Sequence, residues 1–150
     1  TREIRPSEGL AMAAGGGDAS VPQRSELCQF PVQLHLLNPA AGFLQGVDLV
    51  LAADCTAFAC GDFHSRFLRG KSLAIACPKL DSNTEVYVEK LAAMIRDARI
   101  NTLTVVVMEV PCCQGLVRIA RVARQKSGRN VPIKIVVLAV SGEVIDDEWI

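Results

Sequence analysis

Thr104-Val105-Val106-Val107-Met108 is nearly all apolar and rich in β-branched residues, and it runs straight into Glu109-Val110-Pro111-Cys112-Cys113-Gln114-Gly115-Leu116. A continuous run of this kind suits a strand buried on both faces, as inside a parallel sheet. A strand wetted on one face would alternate apolar with polar residues instead. From Gln114 to Lys126 the period changes: Leu116, Ile119, Ala120 and Ala123 recur at helical spacing, and Gly128 stands where a terminating C′ glycine belongs.

The same unit recurs on both sides of this stretch. Asp48-Leu49-Val50-Leu51-Ala52-Ala53, Ser72-Leu73-Ala74-Ile75-Ala76 and Ile133-Lys134-Ile135-Val136-Val137-Leu138-Ala139-Val140 are further strand-length apolar runs, and Val32-Gln33-Leu34-His35-Leu36 alternates like a strand. Between them, Thr84 to Arg99 aligns Val88, Leu91, Ala92, Ile95 and Ala98, with Ser82 and Glu85 spaced as a capping box. Asp62 to Leu68 is a shorter helical segment. Strand and helix alternating in this rhythm predict an α/β domain. The expected architecture is three-layered, a parallel sheet of about five strands with helices on both faces, Rossmann-like or flavodoxin-like in topology.

Residues 1–27 differ in texture. Gly15-Gly16-Gly17 and the scattered Ser20, Pro22 and Ser25 offer too little apolar surface to offset ordering, so this segment reads as a flexible linker or arm, with residues 28–150 as a single α/β domain. The chain has 150 residues, and its 16 Lys+Arg balance 16 Asp+Glu. That balance argues against a dedicated nucleic-acid binder, which needs a basic surplus. No apolar run reaches the roughly 18–20 residues of a membrane span. No basic segment followed by an apolar one opens the chain, so no secretory signal is expected, although the chain begins at Thr1 and not at Met. The six cysteines, without a signal, fit a reducing, cytoplasmic setting better than a disulfide framework.

Three cysteine positions share one structural address. Cys55 follows Ala52-Ala53 with only Asp54 between, Cys77 directly follows Ala74-Ile75-Ala76, and Cys112-Cys113 follow Met108-Glu109-Val110-Pro111. Parallel strands end on one edge, and ligands gather in the crevice there. Cys55, Cys77, Cys112 and Cys113 are therefore expected to converge as metal ligands. Four thiolates in one crevice suit an iron–sulfur cluster or a tetrahedral zinc ion. The helix opening at Gln114-Gly115 adds free N–H groups and a favourable dipole. Spacing does not separate the two metals, because paired CxxC knuckles and a CxxCxxC run are both absent.

Ala53-Asp54-Cys55-Thr56-Ala57-Phe58, Gly61-Asp62-Phe63-His64, Cys77-Pro78-Lys79-Leu80-Asp81 and above all Val110-Pro111-Cys112-Cys113-Gln114-Gly115 carry a resemblance to a known family. They resemble the C-terminal domain of 4Fe–4S ferredoxin-type iron–sulfur proteins of anaerobic prokaryotes, over about Phe30 to Glu143. The resemblance implies a 4Fe–4S cluster on Cys55, Cys77, Cys112 and Cys113. Residues 1–27 would be the remnant of a connection to a ferredoxin-like module. It leaves Cys28 and Cys60 outside the ligand set, where relatives carry aromatic residues. The function it implies is a redox module passing electrons within a larger anaerobic assembly, with ferredoxin or oxidoreductase subunits as partners, and not a self-contained enzyme. Two alternatives stand beside it: a metal-free interaction or thiol-redox domain, in which a disulfide joins Cys112 or Cys113 to Cys55 or Cys77, and a structural zinc site.

Other features carry less. Cys60 reads as a core thiol, His35 as structural, His64 as a surface or capping histidine, and Lys79 as solvated. Gly70-Lys71-Ser72 lacks the first glycine of a phosphate loop, since that position is Ser65, and it leads into a strand where such a loop leaves one. Arg118, Arg121, Arg124, Lys126 and Arg129 form a basic face for an acidic partner or simply a solvated one. Glu143, Asp146, Asp147 and Glu148 read as an acidic tail pinned by Trp149. Basic face and acidic tail are also suited to pair with each other, within one chain or in a homo-oligomer.

Overall fold

The computed structural model describes residues 2–3, 22–111 and 114–150. In chain order the strands are β1 (Arg2–Glu3), β2 (Gln29–Phe30), β3 (Asp48–Ala53), β4 (Ser72–Ala76), β5 (Thr102–Met108), β6 (Ile133–Leu138) and β7 (Val144–Trp149). The helices are α1 (Thr56–Ala59), α2 (Thr84–Arg96) and α3 (Gln114–Ser127), with a π-helical turn at His64–Leu68. β1 and β2 form a small antiparallel ribbon, and the other five strands form one sheet in the order β4-β3-β5-β6-β7.

β4, β3, β5 and β6 are mutually parallel, and every residue of Leu49–Ala53 and Leu103–Met108 is buried. That is the environment the unbroken apolar runs call for. α2 and α3 pack side by side over one face. Right-handed crossovers put the β3–β4 connection on the other, where Phe63, Phe67 and Leu68 are buried. The expected three-layer Rossmann-like α/β architecture is the observed one.

Two elements correct the reading of the sequence. Val32–Leu36 is no strand: Leu34–Leu36 is a 3-10 turn, and only Gln33 bridges to Ile75 of β4. Leu34 and Leu37 are fully buried by that turn while His35 and Leu36 face out, so the apparent alternation does not follow the burial. The fifth strand comes instead from the acidic segment: β7 pairs antiparallel with β6 along an edge. An edge strand tolerates Asp146, Asp147 and Glu148 because their side chains stay in water. Its acids do not meet the α3 arginines. Lys134 of β6 takes Asp147 at 3.6 Å and lies 5.9 Å from the Trp149 ring centre.

A third correction concerns α2. Its N-cap is Asn83, in left-handed backbone, and no side chain caps it. The expected Ser82–Glu85 capping box does not form. At the far end of α3, Gly128 has φ +72° and its N–H donates to the Gln125 carbonyl, as a C′ glycine should.

The open edge of β4 is closed by a side chain. Gln29, wholly buried, accepts from the Leu73 N–H through Oε1 (3.1 Å) and donates to the Leu73 carbonyl through Nε2 (2.6 Å). One amide thus serves the Leu73 main chain, while further along the same edge the Ile75 N–H donates to the Val32 carbonyl at 2.8 Å. Orphaning two buried main-chain groups costs more than losing a hydrogen bond, so Gln29→Ala should lower unfolding free energy by about 2 kcal/mol in urea titrations. An unchanged midpoint would show that water serves β4 equally well.

The amino edge of the sheet is tied by Asp48, at the start of β3, which accepts from Thr102 Oγ1 at 2.7 Å and Asn101 Nδ2 at 2.9 Å. The Thr102 hydrogen bond, with Asn101 and Lys71 adding to it, holds the Asp48 carboxyl below its ordinary value against the opposing effect of burial. A depressed carboxylate contributes stability that is present above its unfolded-state value and lost as pH falls through its folded one. Asp48→Asn should therefore destabilise at neutral pH and lose its effect below the usual aspartate range. Thermal unfolding of both chains across pH 2–7 checks the convergence.

Candidate functional site

The strand order places the site. β3 sits centrally with β4 on one side and β5 on the other, so the crossover direction reverses between β3 and β5. Ligands of open α/β sheets bind outside the carboxyl ends of the strands at such a reversal. The turns that leave β3, β4 and β5 here carry Asp54-Cys55, Cys77-Pro78 and Glu109-Val110-Pro111.

Ala53 and Ala76 are register partners at the ends of β3 and β4, and the Asp54 N–H donates to the Ala76 carbonyl at 3.2 Å. Cys55 and Cys77 therefore leave adjacent strands at the same edge, as expected. Cys55 is exposed, Cys77 half-buried, and both are free thiols. Thr56, just behind Cys55, is buried and its hydroxyl donates to the Ala53 carbonyl at 2.8 Å, which holds the turn at the strand end. Cys112 and Cys113 lie outside the described residues. Among the described residues, no three His, Cys, Asp or Glu side chains are grouped to hold a metal ion.

The chain on either side of Cys112-Cys113 still bears on the site. A Cβ built on Gly115 would stand 3.1 Å from Pro78 Cβ and 3.3 Å from Pro78 Cγ. The first turn of α3 thus packs against the residue that follows Cys77. Glycine permits that approach, since a larger side chain would push the two loops apart.

Cys77 is held by a network that sequence reading missed. Asp81 Oδ2 accepts the Cys77 N–H at 3.0 Å and also the Tyr87 hydroxyl, while the Asp81 N–H donates to the Cys77 carbonyl at 2.8 Å. Burial first, then the Asp81 hydrogen bond and charge, pushes the Tyr87 phenol far above its ordinary value, so it stays a donor. His35 packs against Tyr87 with the rings tilted by 58° and their centres 4.5 Å apart, and its Nε2 lies 3.0 Å from the Ser82 carbonyl oxygen. An aspartate four residues after the cysteine, closing the turn on its own backbone, is the signal that was available.

Asp54 stands out electrostatically. Its Oδ1 is buried with no hydrogen-bond partner, and burial, reinforced by the Asp81 charge, raises its carboxyl. Cys60 is a different kind of thiol from Cys55. It is buried, its Sγ donates to Asp62 Oδ1 at 3.1 Å, and burial followed by Asp62 pushes it up. It is a protonated core side chain, outside the edge cluster. Cys28 bonds locally, to the Glu26 carbonyl at 3.4 Å. His64 Nδ1 accepts the Glu26 N–H at 3.1 Å, and Arg69 pairs with the Glu26 carboxylate at 3.2 Å, so both fasten the segment before β2.

A family model described as a Rossmann-like domain matches residues 41–150. A protein of Archaeoglobus fulgidus described as uncharacterized is 32% identical over 120 residues, which is 79% of this chain and 83% of that protein. No solved structure matches. These matches correct the family resemblance read from the cysteine motifs, since they indicate no ferredoxin-type 4Fe–4S family. The motifs misled because they sit where any parallel sheet presents its carboxyl-edge turns. The place of those turns follows from the fold, and thiols there do not by themselves fix a family. Among the described residues, no helix is long and apolar enough to cross a membrane.

Proposed function

We propose that this chain, which belongs to the Rossmann-like domain family, is a redox module that holds an iron–sulfur cluster at the carboxyl edge of its sheet. Cys55 and Cys77 would supply two thiolates from adjacent strand ends, and Cys112 and Cys113 two more from the β5–α3 connection. The observation that carries the reading is the shared edge: Ala53 and Ala76 are paired, and a free cysteine follows each within two residues.

The residues present fit such a group in three respects. The donor set is all thiolate, which suits iron–sulfur chemistry. Neither Cys55 nor Cys77 is locked in the core, as Cys60 is. Gly115 against Pro78 draws the start of α3 to the Cys77 loop. Asp81 orients the Cys77 backbone, and Tyr87 fixes Asp81 in turn. When bound, the cluster supplies one-electron transfer, and hydrogen bonding and burial by the protein tune its potential.

Anaerobic reconstitution with iron and sulfide, followed by dithionite reduction, tests the reading. A brown protein that bleaches on reduction and develops a fast-relaxing paramagnetic signal at low temperature is expected. A colourless ion removed by chelator would make the site structural zinc, and titratable thiols with no metal would leave a thiol-redox or interaction domain. Either of those outcomes overturns the proposal.

A further inference from the structure

The amino edge of the sheet, opposite the cysteines, has a different chemistry. Arg121, Arg124, Gln125, Gly128, Arg129 and Asn130 line a concavity of about 380 Å³ at the C-terminal end of α3. Three guanidinium groups line it and no Asp or Glu side chain does. Among the described residues the ion pairs between side chains are Arg69–Glu26, Arg96–Asp97, Lys126–Glu89 and Lys134–Asp147, and none of the three arginines takes part in one.

Two of the three are held in place by main chain. Arg129 Nη1 donates to the carbonyls of Ile95 (3.0 Å) and Ile100 (2.6 Å). Arg124 Nη1 donates to the Val131 carbonyl (3.3 Å) and to the main-chain oxygen of Ile150 (2.9 Å), the last residue of the sequence, whose terminal group is a carboxylate. Each contact uses one nitrogen of a guanidinium that carries five N–H donors. Nε and Nη2 of both have no protein acceptor among the described residues. Arg121 is exposed and makes no side-chain hydrogen bond there.

Arg124 and Arg129 are held by main chain, Arg121 is free, and among the described residues none of the three meets an Asp or Glu side chain. Like-charged groups around one hollow repel each other, and an anion relieves that cost. Planar forked donors match phosphate oxygens in particular, and a fixed fork loses less entropy on binding. The size of the hollow and the +0 net charge favour a small ligand over a nucleic-acid backbone. We propose that this concavity binds a small phosphate-bearing ligand, free or as an ester, through Arg121, Arg124 and Arg129. The site lies away from the cysteine edge and does not depend on the redox reading.

Calorimetric titration of the whole chain with pyrophosphate at physiological ionic strength tests it, beside inorganic phosphate and a sugar phosphate. Saturable binding of one pyrophosphate per chain is expected, together with a ligand-induced rise in unfolding temperature. Arg121→Gln removes a side chain that bonds to nothing else, so the ligand-free protein should unfold as before. It should bind about tenfold more weakly, the loss of one charge-assisted hydrogen bond. Arg129→Lys keeps the charge but not the fork and should also bind more weakly. Preference for the sugar phosphate over phosphate would identify an ester, and the reverse a free anion. No saturable binding, equal binding by Arg121→Gln, or binding seen only with anionic vesicles or polynucleotide would overturn the proposal.

Discussion

Cys77→Ala should abolish iron retention while leaving the fold standing. The residue is half-buried, and its structural duties rest on its backbone: the N–H donates to Asp81 and the carbonyl accepts from the Asp81 N–H. Alanine keeps both. Removing the sulfur at the surface should change unfolding free energy by no more than about 0.5 kcal/mol. A cluster missing one of its ligands is expected to be lost on desalting, so iron per chain should fall close to zero. Cys60→Ala is the control with the opposite signature. That thiol is in the core, so its loss should cost about 1–2 kcal/mol through the cavity it leaves, with iron retained. If Cys60→Ala lost the iron and Cys77→Ala kept it, the ligand set would be wrong.

The second large effect is structural. Gly142 turns the chain between β6 and β7 with φ +95°, and a Cβ there would stand 2.1 Å from the Ala59 carbonyl oxygen and 3.1 Å from its carbon. Neither atom is the end of a flexible side chain; both are backbone of the turn that begins at Cys55. Left-handed backbone alone costs an L-residue roughly 1–2 kcal/mol. Displacing a main-chain contact adds to it, so Gly142→Ala should destabilise by about 3–4 kcal/mol, near the top of what single substitutions do. The shift would also be felt at the buried Cys60, whose Cα lies 3.4 Å from the same Cβ. Denaturant midpoints measure the first effect, and faster alkylation of Cys60 in the variant measures the second. A loss below about 1 kcal/mol would mean that the turn relaxes freely.

Much of the fold was legible because burial on both faces leaves a plain trace. The runs at 48–53, 72–76, 104–108 and 133–140 are nearly all apolar, and β3 to β6 stand on them, at 48–53, 72–76, 102–108 and 133–138. What misled were segments whose pattern fits two environments. Val32–Leu36 alternates, yet a 3-10 turn buries Leu34 and Leu37 and leaves Leu36 exposed, so the pattern does not follow the burial. Val144–Trp149 looks like a charged tail because an edge strand leaves its carboxylates in water. Gln29 gave no local signal at all, since its role is set by Leu73, 44 positions away.

The candidate site was legible to the level of its edge. Cysteine after strand, read three times, put Cys55 and Cys77 together because parallel strands must end on one side. The Asp81–Tyr87 clamp escaped because neither residue is unusual alone; only the turn brings the carboxylate back to the Cys77 N–H. Asp54 escaped for the same reason, since its buried, unpartnered oxygen is a property of packing.

The most direct test of the account is iron and acid-labile sulfide per chain after anaerobic reconstitution and desalting, with a visible spectrum of the same sample. About four irons and about four sulfides per chain, the stoichiometry of a 4Fe–4S cluster, are predicted, with a broad thiolate-to-iron absorption. Iron and sulfide at background, with all six thiols still titratable, would contradict it.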